Sequence, residues 1–255
     1  MNITIHPDFI SQSAPINHII THFSTEGTLF IDGRRNKIKT FPLGDITVNV
    51  KSFKVPNFFN KIAYRFLRSS KAQRSYEYAN RLMEMGIGTP QPIAFCENSS
   101  LVSFKDSYYM SLHMTPDLTY RQLIEIPDYP EHEIILRQFT KFTFRLHEKG
   151  VEFKDHTPGN TLINKVGPGR YEFFLVDLNR MTFHNRPMTL EERIKNMSKL
   201  TPERHLTEVM SDEYAKLYGR PFEEVFSLMV KHAQYFATRF HRKRAIKRAL
   251  GLRKK

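Results

Sequence analysis

Hydrophobic and polar positions change their period twice along this chain. Residues 28–31, 37–41 and 47–53 read as short strands. Asp32-Gly33 and Leu43-Gly44-Asp45 separate them as turns, so the pattern predicts an antiparallel start. Residues 60–85 hold no Gly or Pro and are rich in Ala, Leu, Met, Arg and Glu, which predicts a helix ending at Gly86. Two further strands are predicted over 92–96 and 101–112, around an Asn98-Ser99-Ser100 turn.

Beyond Pro116 the period becomes helical. Ile135, Phe139, Phe142 and Leu146 fall at spacings of four, three and four, which sets them on one face of a helix that ends at Gly150. Gly167-Pro168-Gly169 then joins two short strands, 161–164 and 171–176, as a hairpin. From Thr189 onward the pattern is mostly helical, and residues 3–23 carry no clear period. The order predicts an α+β chain of two unequal lobes: an antiparallel-sheet lobe with one main helix, then a helical lobe. Its parts are an N-terminal segment of unassigned role (1–24), an N-lobe (25–114), a C-lobe (115–238) and a basic tail (239–255).

Composition narrows the class. Of 255 residues, 40% are hydrophobic and 13% aromatic, enough for a packed core and too many for a disordered chain. The formal net charge is +13, and residues 239–255 supply nine of those charges with no acid, leaving +4 on the other 238. Such a balance calls for an anionic partner: nucleic acid, an anionic membrane surface, or an acidic or phosphorylated substrate. Cys96 is the single cysteine, so no internal disulfide or cysteine metal site is available. No run of about 18 apolar residues is present and the N-terminus lacks a signal-peptide pattern, so the chain is expected to be soluble or to lie on a surface.

One stretch carries chemistry. Asp155 is followed five positions later by Asn160, between the amphipathic helix and the hairpin. After the hairpin an apolar strand, Phe174-Leu175-Val176, runs into Asp177. Phosphoryl transfer needs a carboxylate beside the attacking hydroxyl and oxygen ligands for the Mg²⁺ that bridges the phosphates. Asp155 suits the first task; Asn160 and Asp177 suit the second. Asp155-x-x-x-x-Asn160 is similar to the kinase catalytic loop, with Asp177 standing where the metal-binding Asp of the next strand would be. Phe153-Lys154 replaces His-Arg before the first Asp, and Leu178-Asn179 replaces Phe-Gly after the second, which points away from ordinary protein kinases.

The kinase resemblance implies further residues. Val48-Asn49-Val50-Lys51 resembles the strand whose lysine meets the nucleotide phosphates, and Lys51 is preferred to Lys54 because its neighbours alternate. Glu77 is the mid-helix acid placed to pair with that lysine; a surface charge paired with Arg74 or Arg81 is the competing reading. Arg34, in the Asp32–Asn36 turn, is a candidate phosphate contact, and a plain hairpin turn accounts for it equally. Backbone groups between Leu112 and Met114 are the candidate adenine contacts.

Several segments together resemble the lipopolysaccharide kinase family, which phosphorylates Kdo or heptose of the inner core. They include Val48 to Lys54, Ser70 to Glu77, Gly86-Ile87-Gly88-Thr89-Pro90-Gln91-Pro92, Leu146-His147-Glu148-Lys149-Gly150, Asp155 to Asn160, and Val176 to Arg180. The resemblance covers roughly residues 28–183. It implies a protein-kinase-like fold, ATP and Mg²⁺, a cytoplasmic site, and a sugar hydroxyl of a lipid-linked core acceptor. The tail mixes Phe240, Ile246, Leu250 and Leu252 with dense Arg and Lys; an anionic inner-membrane surface and plain solvent are both open as its neighbour. Three competing readings are a kinase of protein or small molecules, a pseudokinase, and a basic nucleic-acid-binding protein. The last leaves the Asp155, Asn160 and Asp177 pattern unexplained, so no nucleic-acid partner is expected.

Overall fold

The computed structural model describes residues 1–33, 36–53, 69–99 and 104–249. The chain divides into two compact units: Met1–Thr115 together with Phe174–Arg180, and Pro116–Phe173 together with Met181–Lys255.

The first unit is built on a six-stranded antiparallel sheet. Its strands are β1 (Asn2–Ile5), β2 (Thr28–Asp32), β3 (Asn36–Leu43), β4 (Ile46–Phe53), β5 (Pro92–Ser99) and β6 (Phe104–Leu112), in the order β1-β5-β6-β4-β3-β2. Alternation along β4 decides the two faces. Val48 and Val50 are fully buried and join Phe41, Leu43, Ala94, Cys96 and Met110 in one apolar cluster. Helix α1 (Ser13–Thr21) covers that face with Ile16, Ile19 and Ile20. Phe95, one residue out of phase with Ala94 and Cys96, points to the other face and meets Tyr76 of helix α2 (Lys71–Glu84), ring centroids 5.2 Å apart. Lys51, out of phase with Val50, therefore stands on the α2 side of the sheet.

The N-terminal residues thus acquire a structural part. β1 adds an edge strand to β5, with Ile3 opposite Cys96, and α1 covers one face of the sheet. A four-residue strand and a nine-residue helix are too short to leave a clear period in the sequence. Within the described residues the helix predicted over 60–85 begins only at Lys71, because the Ser70 hydroxyl accepts from the Gln73 amide (3.0 Å) and caps it. Residues 54–68, Lys54 among them, lie outside the described residues, as do 34–35, 100–103 and 250–255.

The second unit is mainly helical. It holds β7 (Leu118–Thr119), α3 (Tyr120–Glu125), α4 (His132–Glu148), β8 (Val151–Phe153), β9 (Thr161–Gly167), β10 (Arg170–Leu175), β11 (Met181–Phe183), α5 (Leu190–Met197), α6 (Arg204–Tyr218) and α7 (Phe222–Ala249). β10, whose last two residues belong to the first unit, pairs with β9, and β9 with β7; β8 pairs with β11. The apolar face predicted for α4 is buried: Ile135, Phe139 and Leu146 are fully enclosed and Phe142 nearly so. Phe139 stacks on Tyr120, centroids 4.0 Å apart, and lies 5.8 Å from Phe173. Gly150 ends the helix with φ 71°, and a Cβ there would fall 2.5 Å from the Arg186 carbonyl oxygen. Only glycine tolerates both the angle and the approach, and it lets the Gly150 carbonyl accept from the His184 amide (2.8 Å) as β8 begins.

Urea unfolding of Phe139→Ala should show a loss of about 3–5 kcal/mol, the cost of emptying an enclosed aromatic site. Ser70→Ala should cost about 1 kcal/mol through its cap. A Phe139→Ala loss no larger than that of Ser70→Ala would contradict this core.

Candidate active site

The candidate residues fall into two sets, one in each unit. In the first, Lys51 projects from β4 with its side chain 14% exposed and over the Phe53 ring, 5.3 Å from the centroid. Its ammonium donates to Asp177 Oδ1 at 2.5 Å. An ammonium so far out of water needs a compensating charge, and Asp177 supplies it.

Backbone bonds deliver Asp177. The Leu175 amide donates to the Gly88 carbonyl (2.9 Å) and the Thr89 hydroxyl donates to the Leu175 carbonyl (2.8 Å). This ties 174–180 to the Gly86–Pro92 segment, the same segment that stood out in the sequence. Two residues on, Asp177 takes φ 61°, a left-handed conformation that non-glycine residues seldom adopt. Asn179, nearly buried, donates from Nδ2 to the same Oδ1 at 2.8 Å. Two donors converge on that atom and set the carboxylate's direction. Sequence reading treated Asn179 as a departure from Phe-Gly; its position two residues after an Asp at a strand end was the available signal.

The other first-unit candidates are placed as follows. Glu77 is exposed and accepts from Gln73 Nε2 (2.8 Å), one turn away on α2; the carboxylate that meets Lys51 is that of Asp177. Arg34 lies outside the described residues. The Leu112 amide is committed to the Gln91 carbonyl and the His113 amide to the Thr47 carbonyl, both at 2.9 Å. Met114 follows, half-buried and outside the strand. His113, not singled out by sequence, is held by Asn49 Oδ1 at its Nδ1 (3.1 Å) and by the edge of Phe30 (5.3 Å).

In the second unit, Asp155 and Asn160 belong to a loop between β8 and β9. Asn160 Nδ2 donates to the Asp155 carbonyl (2.8 Å). The two preceding carbonyls are also held: that of Phe153 by Asn196 Nδ2 (2.9 Å) and that of Lys154 by the Lys199 ammonium. Three successive carbonyls thus each accept from a side chain, which fixes the loop on which the half-buried Asp155 sits. Arg121 of α3 lies over Gly159, where a Cβ would approach its guanidinium to 3.2 Å. Lys199 and Arg121 therefore place positive charge along the loop.

Beneath the loop is a buried polar network. With Asn196 Nδ2 donating to Phe153, its Oδ1 accepts from His147 Nε2 (3.2 Å) and His156 Nδ1 (3.3 Å). His147 Nδ1 then accepts from the Tyr214 hydroxyl (2.8 Å). Both imidazoles are fully enclosed. Burial pushes His147 down to about 3, with the neighbouring His156 adding to it, and burial pushes His156 down to about 4. Both are neutral at pH 7, as the tautomers require.

No family model matches the chain, and no curated protein matches its sequence. Its fold is a kinase-like one, with an antiparallel-sheet N-lobe followed by helices. A solved structure with this fold is that of WaaP in complex with acyl carrier protein: TM-score 0.63, 14% identity, covering 92% of this chain and 99% of that one. The likeness reaches well beyond residues 28–183.

A folded-state pKa held below the unfolded value makes the protonated histidine costly in the native state. The contribution is intact above about pH 6.5 and is lost as pH falls toward about 4 and about 3, the values of His156 and His147. Urea unfolding at pH 7 and pH 5 should therefore differ by roughly 2–4 kcal/mol, less stable at pH 5. Equal stability at the two pH values would mean that these imidazoles are not held neutral.

Proposed function

We propose that this chain is an ATP-dependent kinase that phosphorylates a sugar hydroxyl, Kdo or heptose, of the lipopolysaccharide inner core. The observation that carries the reading is the Lys51–Asp177 pair, set by Asn179, within a kinase-like fold. Lys51 would hold nucleotide phosphates, as its largely buried ammonium on a strand suits a fixed anion contact. The Met114 backbone would meet adenine, since the two preceding amides are committed to the sheet.

The residues fit a hard divalent ion. The carboxylate of Asp177 and the amide oxygen of Asn160 are the donor types Mg²⁺ takes, and the Asn160 bond to Asp155 uses its nitrogen, keeping the oxygen for a cation. Asp177 and Asn160 would each offer such an oxygen to Mg²⁺, and the metal with ATP would supply a phosphoryl group whose charge is partly neutralised. Asp155 orients the acceptor hydroxyl and takes its proton. The bonded carbonyls of 153, 154 and 155 keep that carboxylate from drifting, which positioned catalysis demands.

The acceptor class rests on the resemblance and on charge. Arg121 and Lys199 along the loop suit an acidic or phosphorylated sugar. Helix α7 carries exposed Tyr235, Phe240 and Ile246 among its basic residues, with Arg239 over Tyr235 and Arg244 over Phe240. We assign this end of the chain to an anionic membrane surface, where a lipid-linked acceptor would be met. No helix among the described residues is long and apolar enough to cross a membrane. Because WaaP is described in complex with acyl carrier protein, such a carrier is also proposed as a protein partner of this chain.

Transfer of labelled phosphate from ATP to purified inner-core lipopolysaccharide, with Mg²⁺, checks the reading. Wild type should transfer, and Asp155→Asn should be slower by about 10²–10⁴-fold, the usual share of a positioned proton acceptor. Mass spectrometry should locate the new phosphate on one Kdo or heptose. Equal rates in wild type and Asp155→Asn, or no transfer to any core acceptor, would refute the proposal.

A further inference from the structure

A second cluster of potential ligands lies at the end of α1. His18, His22 and Glu26 bring one imidazole nitrogen each and a carboxylate oxygen to within 4.8 Å of one another. The spacing is one helical turn and then one more: His18 and His22 share a face of α1, and Glu26 sits one turn beyond its end. The inward face of the same helix is Ile16, Ile19 and Ile20, so both imidazoles point away from the core.

The turn that presents Glu26 is tightly specified. The Glu26 amide donates to the His22 carbonyl (2.9 Å), continuing the helical spacing past the cap. The nearly buried Lys39 ammonium donates to the carbonyls of Phe23 (2.8 Å), Ser24 (3.3 Å) and Glu26 (2.6 Å). Gly27 follows with φ 83°, and a Cβ there would fall 2.4 Å from the Phe41 ring. Three carbonyls on one cation and a glycine under a ring hold the main chain of Glu26 in place before any ligand arrives.

Proton placement favours a metal ion. The His22 Nδ1 bonds the His18 carbonyl (3.0 Å), and a carbonyl only accepts, so the proton is on Nδ1 and the lone pair on Nε2. A backbone carbonyl holding the second ring nitrogen is the usual support of a metal-bound imidazole. His18 Nε2 donates a hydrogen bond to Glu26 Oε2 at 3.1 Å. An ion bound between them would take both atoms as ligands, the neutral ring then carrying its one proton on Nδ1. The His18 and His22 rings stack with centroids 4.1 Å apart; His18 is exposed, so its ring turns toward a common ion by displacing water.

We propose that His18, His22 and Glu26 form a binding site for Zn²⁺ or a similar borderline divalent ion. Two imidazoles and a carboxylate are a set Zn²⁺ accepts, with water completing the tetrahedron. The ion fastens the end of α1 to the turn that leads into β2. The site shares no residue with the kinase candidates, so either can fail alone.

Zn²⁺ titrated calorimetrically into the metal-stripped full chain, with Mg²⁺ in excess, tests this. One equivalent should bind, and Zn²⁺ should raise the unfolding temperature. The His18→Ala/His22→Ala chain should lose that equivalent and the Zn²⁺-dependent rise in unfolding temperature while still unfolding cooperatively, since neither side chain lies in the core. Glu26→Gln should weaken binding by roughly tenfold or more. Absence of Zn²⁺ binding, or the same stoichiometry and affinity in the double variant, would overturn the proposal.

Discussion

An ammonium on a sheet, with little water around it, has to find an anion, and in this chain it finds one 126 residues later. The Lys51–Asp177 pair is the constraint on which the placing of residues 174–180 depends. To satisfy it, the chain returns the segment Phe174–Arg180 to the first unit and anchors it on the backbone at Gly88 and Thr89. Asp177 then accepts an unusual left-handed backbone, with Asn179 bonded to the same oxygen. Strain of that kind persists where surrounding contacts over-determine it, and here two donors and two backbone ties do so.

In the second unit the observed anchoring of the loop is by hydrogen bonds to its backbone. The loop carrying Asp155 is shaped by hydrogen bonds to its carbonyls, and the donors Asn196 and Lys199 come from α5 and the residues just after it. Two neutral imidazoles support Asn196 from below and Tyr214 supports one of them. A buried network of this type is firm when its protons are in the right places and weak when one is added. The loop's geometry is therefore tied to the protonation of two enclosed imidazoles.

Much of this was legible in sequence where one physical rule dominated. The apolar spacing of Ile135, Phe139, Phe142 and Leu146 has a single satisfactory burial, on a helix, and the structure shows it. The alternation along β3 and β4 likewise admits one register of faces. Other features depend on distant partners. Nothing local to Lys51 says that its carboxylate comes from Asp177 rather than from Glu77 on the next described helix, which instead bonds Gln73. Asn196 and Lys199 serve carbonyls of a loop far earlier in the chain, which no local pattern around them marks. Residues 1–23 escaped because a short edge strand and a short helix bury their apolar side only against strands much later in the chain.

The central claim is that Lys51 and Asp177 form the anchor for a metal-bound nucleotide. Calorimetric titration of ATP into the intact chain, with and without Mg²⁺, measures this directly. The account predicts one nucleotide site that needs Mg²⁺ and is lost in Asp177→Asn and Lys51→Met. Binding that ignores Mg²⁺ and both substitutions, or no binding at all, would contradict it.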